Sequence, residues 1–161
     1  MRIGTCGSLH ESVLSDEVVA STHAVGLDGL LNFYNYKMKD SEEIILTKFK
    51  EHMKWDAGIN APYLASANRE LFHRISKGFH QGITITANGF YAPQGRSIRL
   101  KTKNLNQNSL LRSFNYNQQR ILNYEMETSA LYGLSSLLGH KACTVCAVVA
   151  NRYANSFSKN Y

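Results

Sequence analysis

Residues 123–152 constrain the fold of this chain more than any other stretch. They read Asn-Tyr-Glu-Met-Glu-Thr-Ser-Ala-Leu-Tyr-Gly-Leu-Ser-Ser-Leu-Leu-Gly-His-Lys-Ala-Cys-Thr-Val-Cys-Ala-Val-Val-Ala-Asn-Arg. Ala130, Leu131, Leu134, Leu137 and Leu138 recur at helical spacing and predict an amphipathic helix with an apolar face. Gly139 stands where a left-handed residue ends such a helix. Residues 142–150 then form a short, Val-rich apolar run that suits a buried strand. An apolar strand entering at residues 121–124 completes a strand, acid-bearing turn, helix and strand. In open α/β sheets, ligands gather at such strand ends.

The rest of the chain extends the alternation. Residues 2–7 read as a strand end turning sharply through Gly4-Thr-Cys-Gly7, and residues 17–24 as a strand. Asp40 or Ser41 is placed to cap a helix to about Met53, with Ile45, Leu46 and Phe49 on one face. Residues 55–63 read as loop, and Ser66 or Asn68 as the cap of a helix packing Leu71, Phe72 and Ile75. Residues 82–87 alternate β-branched side chains and predict a strand. Gly89, Pro93 and Gly95 make residues 88–100 a loop, and Leu110, Leu111 and Phe114 suit a short helix. At 161 residues the chain fits one domain with a real core, spanning 1–161. Strand–helix alternation makes its class α/β.

Bulk properties narrow the function classes. No apolar run approaches a membrane span, and the start lacks the apolar stretch of a secretory signal, so a cytoplasmic location is expected. Three cysteines, an odd number in such a chain, speak against disulfides. The formal charge of +6 invites a nucleic-acid reading, but Lys and Arg occur singly with no basic helix face, so the charge implies small anions rather than a nucleic-acid partner.

Few residues stand out as chemistry by themselves. Cys143-Thr-Val-Cys146 has the spacing of a redox or zinc pair, yet in a strand the two sulfurs face opposite sides, which favours a buried apolar role. The six histidines show no metal-ligand spacing, and no metal is expected. Glu125 and Glu127 read equally well as acids favoured at a helix N-terminus and as site residues. Phe90, Gln94 and Arg96 place an aromatic ring, an amide and a guanidinium on one loop, a set that suits a planar base with mixed donors and acceptors. An exposed polar loop is the alternative.

Taken in order, four segments resemble the uridine phosphorylase branch of the nucleoside phosphorylase family: Arg2-Ile-Gly-Thr5-Cys-Gly7, Phe90-Tyr91-Ala-Pro-Gln94-Gly95-Arg96, Asn123-Tyr-Glu-Met126-Glu127-Thr-Ser and Val149-Ala-Asn151-Arg152. The resemblance runs along nearly the whole chain. It implies a three-layer α/β/α fold with a mixed central sheet, incomplete because the family's N-terminal part and C-terminal helix are missing. It implies phosphorolysis of uridine to uracil and ribose 1-phosphate, with inorganic phosphate as co-substrate and no cofactor. Arg2, Gly4 and Thr5 would hold phosphate. Phe90, Gln94, Arg96 and Arg152 would hold the base. Met126 and Glu127 would hold the ribose. Arg2, Glu127 and Arg96 become the catalytic candidates. Purine-cleaving relatives carry an acid after the last strand, where this chain has Asn151-Arg152. A neighbouring subunit completes the phosphate side in the family, so a homo-oligomer is expected, with no membrane or nucleic-acid partner. The missing parts leave a second expectation, a non-catalytic fragment that binds nucleoside weakly. A nucleosidase or a purine nucleoside phosphorylase are further alternatives.

Overall fold

The computed structural model describes residues 1–160. Its strands are β1 (Arg2–Ser8), β2 (Val18–Gly26), β3 (Tyr63–Ser66), β4 (His80–Thr86), β5 (Asn115–Tyr116), β6 (Gln119–Glu125), β7 (Thr144–Asn151) and β8 (Ser156–Phe157). Its α-helices are α1 (Asp40–Met53), α2 (Arg69–Ile75), α3 (Gln107–Ser113) and α4 (Thr128–Leu137), with 3-10 turns at Leu30–Phe33 and Ala92–Gln94. The strands join in the order β3-β2-β4-β6-β1-β7-β8, with β5 hairpinned onto β6. The pairings β2–β4, β4–β6 and β1–β7 are parallel, while β1–β6 and β2–β3 are antiparallel, so the sheet is mixed. β2 also pairs antiparallel with β7, from Val18 opposite Ala147 to Ala20 opposite Val145. That pairing curls the sheet into a ring of β2, β4, β6, β1 and β7.

Helices cover both faces. On one, Ile45, Leu46 and Phe49 of α1 and Leu111 of α3 pack on Ile83, Ile85, Ile121 and Tyr124. On the other, Tyr132 of α4 packs on Ala24, Ala65 and Ala142. A third cluster, Cys6, Val19, Leu122, Cys146 and Val148, lies between strands of the ring. Period-2 alternation explains the division, since Val25 faces α1 while its neighbour Ala24 faces α4. No helix of the described residues is long and apolar enough to cross a membrane.

Several local expectations change. Residues 2–8 do not turn at Gly4–Gly7: β1 stays extended along β7 to Ser8 opposite Asn151, with one irregularity between Cys6 and Gly7. Lys39, not Asp40 or Ser41, precedes the first turn of α1, and the Glu42 carboxylate reaches back to accept the Lys39 N–H at 2.8 Å. Tyr63–Ser66, read partly as loop and partly as a helix cap, is a strand too short to show a period. Asn68 does cap α2, accepting the Leu71 N–H at 3.1 Å, but that helix buries no residue fully.

The largest change concerns α4. Its leucines divide: Leu131 packs, partly buried, against the cluster around Tyr132, while Leu137 and Leu138 are exposed, and the fully buried residues are Thr128, Ser129, Tyr132 and Gly133. Hydrogen bonding decides this orientation. The Tyr132 hydroxyl donates to the Ser21 carbonyl at 2.8 Å and accepts the Thr144 N–H at 2.9 Å, tying helix to β2 and β7. Tyr132→Phe leaves both buried backbone groups without their partner and should destabilise the protein by about 1–3 kcal/mol. Urea unfolding reads this directly, and an unchanged midpoint would refute the role given to the hydroxyl. Gly139 adopts the left-handed conformation (φ 70°) that its position called for.

Candidate active site

β1 meets β6 only at Gly7 and Ser8, so the two strands part toward Arg2 while β1 stays paired with β7. The divergence opens a cleft of about 520 Å³. All the residues expected at a phosphate, base or ribose position line it: Arg2, Gly4 and Thr5; Phe90, Gln94, Arg96 and Arg152; Met126 and Glu127. A volume of this size falls in the range of small-molecule sites.

Two glycines of β1 make room for two arginines. A Cβ on Gly4 would stand 2.8 Å from the Arg2 guanidinium carbon, and a Cβ on Gly7 would stand 2.8 Å from Arg152 Nε. Both arginines therefore lie flat against the strand. The pattern Arg-Ile-Gly-Thr-Cys-Gly encodes close approach rather than a tight turn.

The acid pair divides its work. Glu125 is buried at the end of β6, where one carboxylate oxygen accepts the Thr86 hydroxyl at 2.5 Å. The other accepts the N–H groups of Glu127 at 2.9 Å and Thr128 at 2.8 Å, which are free donors at the start of α4. The same oxygen lies 3.3 Å from Arg2 Nη1. Glu127 instead turns its carboxylate outward onto Arg2 Nη2. One acid caps the helix and the other faces the cleft, so the two readings left open by the sequence apply to one residue each.

Arg2 also donates to Cys146 Sγ at 3.1 Å. Burial disfavours its cation, but Cys146, Glu125 and Glu127 outweigh that and raise its pKa. The Cys6 thiol lowers the Cys146 pKa, burial opposes, and the Arg2 charge adds to the lowering. All three cysteines are free and buried. Cys146 is thus more than apolar filler: it sits beneath the guanidinium at the foot of the cleft. The Cys143–Cys146 spacing concealed this, because the partner of Cys146 is Cys6 on the adjacent strand.

The side of the cleft expected to face a base has the opposite character. Arg96 stacks on the Phe90 ring at 4.0 Å, covering the face on which a planar base would rest. Arg152 lies 4.8 Å from the Tyr124 ring centroid and donates to the Gln94 carbonyl at 3.1 Å and to the Gln94 side-chain oxygen. Gln94 is buried, and Arg152 Nε is buried with no partner. Burial, then the nearby charge of Arg96, pushes the Arg152 pKa down to about 10. Among the described residues, neither Arg96 nor Arg152 has an ion-pair partner. The sequence carries a signal for this that composition hides: no Asp or Glu occurs between Glu70 and Glu125.

Asn151 does not enter the cleft. Its amide donates to the His10 and Val13 carbonyls, and its oxygen accepts the N–H groups of Tyr153 and Ala154, each at 2.9 Å. Its role is to fix the strand end that aims Arg152. Of the pair Asn151-Arg152, only the arginine touches the site.

A sequence profile of the Phosphorylase superfamily matches residues 1–159. The chain belongs to this superfamily. Among relatives, it is 29% identical to a uridine phosphorylase of Thermococcus kodakarensis over 99% of its own length and 50% of that protein's. It is 28% identical to a uridine phosphorylase of Haemophilus influenzae, covering 94% and 53% of the two chains. Among solved structures, a Trypanosoma brucei nucleoside phosphorylase described as showing uridine phosphorylase activity superposes with a TM-score of 0.83 at 27% identity, covering 97% of this chain and 55% of that one. A Toxoplasma gondii purine nucleoside phosphorylase superposes at 0.55 with 20% identity and shares the fold. This member of the superfamily spans about half the length of the relatives it matches.

Proposed function

We propose that this protein carries the nucleoside half of a uridine phosphorylase site and takes part in splitting uridine with inorganic phosphate into uracil and ribose 1-phosphate. One observation carries the reading. Among the described residues, the cleft sets two cations without acid partners, Arg96 and Arg152, on one side, and an arginine flanked by carboxylates, Arg2, on the other. Phosphorolysis makes a departing base rich in electrons and a sugar short of them, attacked by phosphate at C1′. Donors on the base side, an acid toward the sugar and a cation for phosphate match that charge separation. A pyrimidine anion is apt for arginine donors, whereas a purine leaves more readily after protonation by an acid. Relatives named as uridine phosphorylases favour the same substrate.

In this reading the base stacks on Phe90 once Arg96 swings from the ring, and Gln94 with Arg96 and Arg152 reads its edge. Met126 lies under the ribose and Glu127 accepts from its hydroxyls. Arg2 and the Thr5 hydroxyl hold phosphate, and no covalent nucleophile is required. Completion of the phosphate side by a second subunit, a cytoplasmic location and independence from cofactors belong to the same proposal. Uridine consumption, measured with and without phosphate, tests it. Phosphate-dependent release of uracil is expected, and equal cleavage without phosphate would show a nucleosidase instead.

A further inference from the structure

We infer that Glu127 occupies the phosphate arginine in the empty protein and exchanges it for the sugar, so that nucleoside and phosphate each tighten the other's binding. The inference rests on the proposed assignment of Arg2 to phosphate and Glu127 to ribose, and adds a coupling between them.

The two acids on Arg2 differ in how far they are committed. Glu125 has a side chain 1% exposed, and its oxygens already take Thr86 and the N–H groups of Glu127 and Thr128. Moving it would strand those buried donors, so its hold on Nη1 is permanent. The Glu127 side chain is 61% exposed, and Arg2 is its one hydrogen-bond partner among the described residues. Nη1 therefore has fixed neighbours, Cys146 and Glu125, while Nη2 is held by a group free to leave.

An oxyanion that takes Nη2 meets the Glu127 carboxylate on the same donor, and like charges at that separation repel. A ribose with its hydroxyls at Glu127 offers the carboxylate new donors and draws it off Arg2. Phosphate at Arg2 conversely frees Glu127 to accept from the sugar. Each ligand removes a cost the other meets, and the coupling is reciprocal by thermodynamic necessity. A partly exposed ion pair sets its size at roughly 2–5-fold in affinity.

Calorimetric titration of inorganic phosphate into the wild-type protein and Glu127→Gln tests this, without and with saturating pseudouridine, whose carbon–carbon glycosidic bond resists phosphorolysis. Glu127→Gln should bind phosphate roughly 2–5-fold more tightly than wild type when no nucleoside is present. Pseudouridine should tighten phosphate binding to wild type by a similar factor and leave the variant's unchanged. Unchanged or weaker phosphate binding by Glu127→Gln would overturn the exchange, and the proposed function survives that result if pseudouridine still binds. Tighter phosphate binding by the variant, with no pseudouridine binding to wild type, leaves only competition at Arg2 and overturns the coupling together with the nucleoside reading. Absence of phosphate binding to both proteins overturns both.

Discussion

Arg152→Met should weaken uridine binding by a factor of roughly 100 or more, while the fold loses no more than about 1–3 kcal/mol. Arg152 does two things in the cleft. It faces the side of the cleft proposed to hold the base, and it clamps the Gln94 backbone carbonyl and side-chain oxygen at once. Each charge-assisted hydrogen bond of this kind contributes about 1.5–3 kcal/mol, so losing the clamp and the direct donors together reaches the stated factor. Two effects on stability oppose: the buried Gln94 oxygens lose their donor, while a partly buried cation that has no acid partner among the described residues is removed. Methionine keeps the packing over Tyr124 without that desolvation cost. Arg152→Lys should not restore binding, because an ammonium lacks the planar fork that spans both oxygens of Gln94. Calorimetry with uridine reads the affinity and differential scanning the stability. Full uridine affinity in the methionine variant would sink the assignment.

The second large effect lies away from the cleft. Glu42→Ala should destabilise the fold by about 3 kcal/mol, since removing one side of a buried charged network strands the other. Glu42 is buried in the first turn of α1. One oxygen accepts the Ser66 N–H at 3.0 Å and the Ser66 hydroxyl. The other accepts the Lys39 N–H at 2.8 Å and lies 3.4 Å from the Tyr36 hydroxyl. A single carboxylate thus caps α1, fastens it to β3 and holds the segment before the helix. Burial first, then the Glu42 charge, raises the Tyr36 pKa, keeping that hydroxyl a donor. Glu42→Gln should cost less, because the amide keeps the shape and one acceptor. A loss of stability under about 1 kcal/mol in Glu42→Ala would refute the network role.

Much of the site is legible in the amino-acid sequence. Gly4, Gln94, Arg96, Glu127 and Arg152 stand in segments whose order is readable, and the fold gathers them around one cleft. What the segments do locally is less legible. Gly4 and Gly7 together read as a turn, because glycine pairs usually mark one. Here they sit in an extended strand, and their purpose shows only when two arginine side chains are laid across them. Asn151 reads as a partner of Arg152, yet its amide is saturated by backbone from residues 10, 13, 153 and 154. The leucines of α4 predict a helix correctly and its buried face only in part, since Leu131 packs on the core while Leu137 and Leu138 are exposed. Periodicity measures where apolar residues recur and carries no information on a tyrosine that bonds two strands at once.

While the candidate cleft residues came from its resemblance to a family, the sequence by itself determined the α/β class, the apolar β7 run and the helix before it with Gly139 at its end. These are local properties, set by period, propensity and turn chemistry within a few residues. Only the tertiary structure decided that β2 closes on β7, that β1 parts from β6 to open the cleft, and that Glu125 caps a helix while Glu127 meets Arg2. Each depends on donors and acceptors far apart along the chain: Thr86 and Glu125, Gln94 and Arg152, Arg2 and Glu127. A carboxylate's role follows from which donor it meets, and packing brings that donor to it.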